Sequence, residues 1–395
     1  EKSFQQTTPS GEQYEANPAE GAVYLQNKLM LAQWILNGGI RLDYFDTGER
    51  FFVDTPTGQA ELRNSPTKIR LSPRLGLSHP ITSRSLFRLS YGYFFQAPEF
   101  RFVYENLRRD LDTELPRVGN PNLDPQKTVA YEMGIEQLLT DDIRLGLTAS
   151  YKRLSNLTST TQIQYPGGSY SLFTNADHGV VQSLELSLRR RFVRHFSGSV
   201  HYTLSSAEGS ASDPQERYNR LLNAPDGQPL PISESVFPLA YDQKHSLKTV
   251  ISAYTPTTWQ RRFLGLPLSD MGLTLIAQYG SGLPYTPTNS LNQQIGTVPN
   301  SARLPGTFNI DLRFRKRVAV GGTSYTFFTE IQNLLDRRNV ISVFSNTGSP
   351  TDDGYSLESK LHNIPESESF RRLLSLDPQN FSSPREVRAG FELSF

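Results

Sequence analysis

Over most of the chain apolar and polar residues alternate with a period of two, the spacing of a pleated strand whose successive side chains face opposite sides. The last stretch is the clearest case. Val387, Ala389, Phe391, Leu393 and Phe395 fall on one face, and Arg388, Gly390, Glu392 and Ser394 on the other. The same rhythm predicts strands at residues 23–26, 34–44, 69–77, 87–93, 129–136, 143–152, 184–189, 199–204, 247–253, 273–279, 308–315 and 325–331. Ile40, Leu42 and Tyr44 thus oppose Arg41 and Asp43, while Ile143, Leu145 and Leu147 oppose Arg144, Gly146 and Thr148. Leu184, Leu186 and Leu188, and later Phe308, Ile310 and Leu312, form apolar faces of the same kind.

The connections alternate as well. Every second one is short, as at His79 to Ser85, Leu139 to Asp142 and Gly321-Gly322, and the others run to roughly twenty to fifty residues of loop-like composition. Residues 1–20, 45–68, 152–180 and 205–243 read as such loops, and no helix is evident. The link at 256–270 is the one short-side connection that is longer than the pattern predicts.

About thirteen strands with short turns on one side and long loops on the other predict an all-β antiparallel sheet of the transmembrane-barrel kind. Closure into a barrel removes the exposed edge that an open sheet leaves, and in a bilayer, where unpaired backbone groups find no water, closure is compulsory. Composition adds limits. Mean hydropathy is -0.46 and no apolar run nears 18 residues, which excludes membrane-spanning helices but not strands, whose lipid-facing residues are diluted by lumen-facing polar ones. With 40 Lys+Arg against 39 Asp+Glu, the net charge of +1 gives no sign of a nucleic-acid partner. Cysteine is absent, so no disulfide framework or thiolate chemistry is expected.

Several stretches resemble TonB-dependent outer-membrane receptors. Ser72-Pro73-Arg74-Leu75-Gly76-Leu77-Ser78 is similar to that family's strand entering a periplasmic turn, and Ser90-Tyr91-Gly92-Tyr93-Phe94-Phe95-Gln96-Ala97-Pro98 to the strand leaving it. Gly119-Asn120-Pro121-Asn122-Leu123-Asp124-Pro125-Gln126-Lys127, followed by Tyr131-Glu132-Met133-Gly134-Ile135-Glu136, matches a further family stretch, with Gln126 where Glu is usual. Asn333-Leu334-Leu335-Asp336 resembles a segment near the family's C-terminus. The terminal strand is similar to the sorting strand read by the barrel assembly machinery, carried by Arg388, Gly390, Leu393 and Phe395. Val23 to Lys28 and Gly39 to Phe45 resemble the members that bear an N-terminal carboxypeptidase-regulatory-like domain.

The resemblance implies an outer-membrane location in a Gram-negative bacterium and contact with outer-membrane lipid. It also implies uptake of a scarce nutrient by TonB-coupled transport, with TonB acting through an N-terminal plug. Family barrels have about 22 strands, so residues 1–395 are expected to be the C-terminal portion of one. The first and last strands would then pair with polypeptide outside this sequence, from the same protein or another chain. The alternative is a plugless passive pore, or a structural subunit of a larger surface assembly.

Catalytic and metal chemistry finds little purchase. The six histidines lie in separate strands and turns, without the close spacing that zinc uses. Asp352-Asp353-Gly354 lacks the spaced ligands of a calcium loop and reads as a turn. Glu132 with Glu136, and Asp311 with Arg313 and Arg315, read as solvated lumen charges. No enzyme activity and no cofactor are expected. Arg108, Arg109 and Arg117, on one loop, are the weak candidates for an anionic ligand.

Overall fold

The computed structural model describes residues 4–7, 13–54, 60–112, 116–165, 167–222, 236–263, 265–289, 293–296, 298–352, 354 and 378–394. Thirteen strands form one continuous antiparallel path, each paired with its neighbours in sequence. They are β1 (Ala19–Leu31), β2 (Trp34–Asp46), β3 (Lys68–Thr82), β4 (Ser85–Gln96), β5 (Gln126–Leu138), β6 (Ile143–Tyr165) and β7 (Gly168–Val193). The path continues through β8 (Phe196–Gly209), β9 (His245–Tyr254), β10 (Met271–Gly280), β11 (Thr307–Val320), β12 (Thr323–Gln332) and β13 (Glu386–Ser394). Two-residue strands at Arg117–Val118, parallel to β7, and Phe237–Pro238, antiparallel to β8, bring the sheet to fifteen.

The register keeps like beside like. Leu147 pairs with Leu186, Leu186 with Tyr202, Tyr202 with Leu247, Leu247 with Tyr279 and Tyr279 with Phe308, an unbroken apolar row across six strands. The apolar face is bare: Leu25 is 78% exposed, Leu71 53% and Leu147 44%. On the opposite face Arg74, Ser90, Glu132, Thr148, Glu185, His201, Lys248 and Arg313 alternate with these residues. No helix among the described residues is long and apolar enough to cross a membrane.

At one end, five of six connections are two to four residues long, at 32–33, 83–84, 139–142, 194–195 and 321–322. Gly321 and Gly322 have φ of 58° and 87°, the backbone that a two-residue hairpin turn demands and that glycine adopts without a Cβ penalty. The sixth, at 255–270, carries its own small hairpin, with Arg262 opposite Pro267 and Phe263 opposite Leu266.

The other end differs from expectation in four ways. The first twenty residues are not simply loop: Phe4–Thr7 pairs with Gln13–Ala16, and β1 begins at Ala19. The polar stretch expected as a loop over 152–180 is strand almost throughout, because β6 and β7 extend to 23 and 26 residues. Thr158, Thr160, Thr161, Tyr170 and Phe173 favour pleated backbone despite the polar composition, and irregularities between Leu154 and Ser159 absorb the change of register. Two short helices, α1 (Phe100–Tyr104) and α2 (Glu216–Leu222), lie in segments whose sequences show no helical periodicity. Both are too short for periodicity to register. Hairpin Arg50–Asp54/Ala60–Asn64 is a further addition at this end.

The buried apolar cluster sits at this end, against the top of β7: Ala16, Phe102, Val103, Tyr104, Leu123 and Phe173, with Phe100 and Leu107 against it. Among the described residues β1 pairs only with β2, and β13 only with β12, so the path ends in two unshared edges.

Candidate functional site

Two assemblies cap the long-loop end. The first is built on residues 119–124. A Cβ on Gly119 would lie 2.7 Å from the Glu105 backbone nitrogen and 2.8 Å from the Val103 carbonyl, so only glycine allows this approach. The Asn120 amide donates to the Phe173 carbonyl (2.8 Å), and the Tyr104 hydroxyl donates to the Thr47 carbonyl (2.8 Å). Pro121 accepts at its carbonyl from the Ser65 hydroxyl (2.7 Å). Lys68 donates to Asn122 Oδ1 (2.6 Å), and Asp124 takes Lys68 (3.2 Å) and Arg70 (2.8 Å). Asn120, Asn122 and Asp124 therefore tie this loop to the tops of β7 and β3, Gly119 and Pro121 tie it to α1 and to the loop at Ser65, and Leu123 is buried in the apolar cluster.

The second assembly surrounds α2. Asp177, with its side chain 1% exposed, receives the Arg217 guanidinium at 3.1 and 2.6 Å and the Ser210 hydroxyl at 2.9 Å. Asp242, equally buried, receives the Ala207 amide (2.8 Å) and the Arg303 guanidinium, whose Nη1 also donates to the Asp242 carbonyl (2.9 Å). Buried charge is tolerated only when paired and hydrogen-bonded in this way. Asn300 bridges the loops, donating to the Ser212 hydroxyl (3.1 Å) and the Pro238 carbonyl (2.9 Å). Between them opens a cleft of about 310 Å³ lined by Ser212, Asp213, Glu216, Asn219, Arg220, Ala240, Thr286, Thr288, Gln294 and Asn300. Hydroxyls, carboxamides, two carboxylates and one guanidinium offer hydrogen bonds of both senses. None of these residues carries a sequence signal, because they are scattered over three loop segments that only the fold gathers.

Of the sequence candidates, Arg117 forms an ion pair with Glu105 (2.9 Å) and lies over the Tyr218 ring at 4.9 Å. Arg109 lies over the rings of Phe52 (5.1 Å) and Tyr170 (4.6 Å), and Arg108 is exposed. At least two of the three are thus engaged in holding loops together. Glu136 is shared by Arg88 and by Arg144 (3.3 Å), and Arg313 pairs with Glu330 (3.1 Å). The described histidines are dispersed, and no group of three metal-ligating side chains occurs among the described residues. His362, Asp353 and Phe395 lie outside the described residues; Gly354 donates to Asp352 Oδ1 (2.9 Å) in a turn.

In β13, Arg388 and Gly390 face the polar side and Leu393 the apolar side. The Gly390 Cα lies under the Phe328 ring, where an added Cβ would be 2.6 Å from Phe328 Cζ. Asn333, with φ of 52°, donates to the Arg337 and Ser383 carbonyls (both 3.1 Å) and so fixes the exit from β12 beside the entry to β13.

A one-path antiparallel wall with a bare apolar face, a polar reverse, short turns at one end and long loops at the other defines a transmembrane β-barrel protein. More narrowly, the chain belongs to the TonB-dependent receptor β-barrel family, whose model, "TonB dependent receptor-like, beta-barrel", matches residues 2–334. Its place is the outer membrane of a Gram-negative bacterium, with the short turns in the periplasm and the long loops outside.

Solved structures share the fold. They include the ferric-catecholate import receptor Fiu from E. coli K12 (16% identity, TM-score 0.52, covering 87% of this chain and 44% of that one). The FrpB iron transporter from Neisseria meningitidis is similar at 11% identity and TM-score 0.54, over 82% and 42% of the two chains. The copper transporter OprC matches at 12% identity and TM-score 0.54, over 98% and 50%. The chain spans half or less of the length of these proteins. No curated protein is similar enough in sequence to match it.

Proposed function

We propose that this chain is the C-terminal part of a receptor barrel that takes up a scarce nutrient across the outer membrane by TonB-coupled active transport. The observation that carries the proposal is the pair of unshared edges, β1 and β13, on a wall whose polar face is lined with charge. Backbone groups at an edge inside a bilayer must be paired, so further strands of the same protein complete the ring, and an N-terminal plug seats against the polar face. TonB acts through that plug, and the barrel assembly machinery reads the terminal strand through Arg388, Gly390, Leu393 and Phe395. Ligand is selected at the extracellular loops, where the polar cleft beside α2 is a better placed contact than Arg109 or Arg117. Arg108 remains a candidate contact for an anionic group.

Growth of strains with and without the gene on a panel of iron chelates, cobalamin, glycans and peptides tests this. One nutrient should lose uptake on deletion of the gene and equally on deletion of TonB. Uptake that persists without TonB, or a protein of this chain's mass alone that forms an open conducting pore, would replace the proposal with a passive pore or a structural subunit.

A further inference from the structure

The periplasmic connection at 255–270 is unlike its five neighbours. They are minimal turns, whereas this one folds into a hairpin whose sequence, Trp259-Gln260-Arg261-Arg262-Phe263-Leu264-Gly265-Leu266-Pro267-Leu268, sets two arginines before an apolar tip. Its one acidic residue, Asp270 at the end, is buried against Tyr254 and Arg317 and so leaves the hairpin's own arginines uncompensated. Beside it lies the β7–β8 turn, which adds Arg194 and His195; the His195 and Trp259 rings are 5.2 Å apart, and the Tyr254 amide donates to the His195 carbonyl (2.9 Å). Arg261 lies over the Trp259 ring at 5.6 Å. Arg194, Arg261 and Arg262 are exposed, none has an acidic partner among the described residues, and Phe263 is 66% exposed.

The level of this feature on the wall identifies what it faces. Along β7 the lipid-facing series Leu184, Leu186, Leu188 is broken by Arg190 one step before Phe192, and along β11 the series Ile310, Leu312, Phe314 is broken by Lys316 before Val318 and Val320, so charge enters the apolar stripe only in its last residues before the turns. Arg or Lys entering an apolar stripe beside its terminal aromatic or aliphatic residue marks the boundary between acyl chains and headgroups. Lys316, on the lipid-facing side, donates to the Ser269 carbonyl, while the next residue, Asp270, turns to the lumen face, where it accepts from the Tyr254 hydroxyl (2.5 Å) and pairs with Arg317 (3.8 Å); the hairpin's return arm thus meets the wall's lipid side at Ser269, level with these charges. Arginines, a tryptophan and the exposed Phe263 at that depth are the elements of an interfacial anchor.

We propose that the arginines of the 255–270 hairpin, with the Arg194-His195 turn, bind anionic phospholipid headgroups of the periplasmic leaflet while Phe263 enters the acyl region. The test uses the full-length receptor in nanodiscs of phosphatidylethanolamine, with or without phosphatidylglycerol. An environment-sensitive fluorophore is placed by Phe263→Cys, or by Asp141→Cys in the neighbouring minimal turn, where the side chain is 83% exposed; this chain has no other cysteine.

The label at 263 should emit to the blue of the label at 141 and be quenched by brominated acyl chains. Phosphatidylglycerol should deepen the quenching, and combining the label with Arg261→Gln and Arg262→Gln should raise the phosphatidylglycerol fraction needed several-fold. Quenching that is the same in both lipids and in the arginine variant would overturn the headgroup assignment. A label at 263 that stays water-exposed in both discs, including one shielded only on adding a periplasmic protein, would overturn the lipid assignment altogether.

Discussion

The lower and upper halves of β6 and β7 are the same two strands in two solvents. Below, Leu147, Leu184 and Leu186 lie exposed on a bare face, and lipid completes their packing. Above, Thr158, Ser159, Thr160, Tyr170, Phe173 and Asp177 are buried, with the α1 cluster and α2 packed against them. Leucine is outside and threonine inside. Burial in this molecule follows from what lies opposite each segment and not from the polarity of the segment itself, because the wall's apolar side is satisfied by acyl chains while the cap must make its own core.

That contrast is open to attack from both sides. Phe173→Ala should cost the cap about 3–5 kcal/mol, the range for emptying an aromatic site in a packed core. It should expose the extracellular loops to protease on intact cells while leaving the heat-modifiable folded form in place; loss of the folded form would mean that cap and wall are not separable. Leu147→Arg, facing lipid, should lower the assembled fraction in outer membranes by a cost of roughly 2–4 kcal/mol, with Thr148→Arg, facing the lumen, tolerated. Equal tolerance would reverse the faces.

Gly390→Ala pushes a methyl group against the Phe328 ring, an overpacking of about 1–3 kcal/mol that should slow assembly and be relieved by adding Phe328→Ala. A purely recognition-based role for Gly390 predicts no relief. The smallest effect lies in the β5–β6 turn. There the Thr140 hydroxyl, and after it the Arg190 guanidinium, hold the Asp142 carboxyl below its ordinary value of 3.8, with burial opposing. Because the folded group is the stronger acid, its contribution is present above that ordinary value and fades as pH falls through the lowered one. Asp142→Asn should flatten the acid limb of thermal midpoints taken down to about pH 3, and an unchanged limb would remove Asp142 from the account.

Alternation along the chain made the wall legible. A two-residue period places Leu147 and Thr148 on opposite faces whatever the rest of the chain does, and the alternation of short and long links orients the sheet. The glycine-asparagine segment at 119–124 and Asn333 were visible as motifs, but their roles in tying distant segments together were not, since Glu105, Thr47, Phe173 and Ser383 reach them only in three dimensions. Thr158, Ser159, Thr160, Tyr170, Ser171 and Phe173 run against the loop expectation for the reason that defines the cap: their stretch is polar in composition, and only the elements packed against it in the fold make these six interior. The cleft beside α2 was invisible for a related reason, being assembled from single residues of separate loops. Local period and turn chemistry act over two to four residues and so are written in the chain. Burial, ion pairing of Asp177 and Asp242, and the grouping of loop side chains depend on contacts between distant segments, and those the tertiary structure alone decided.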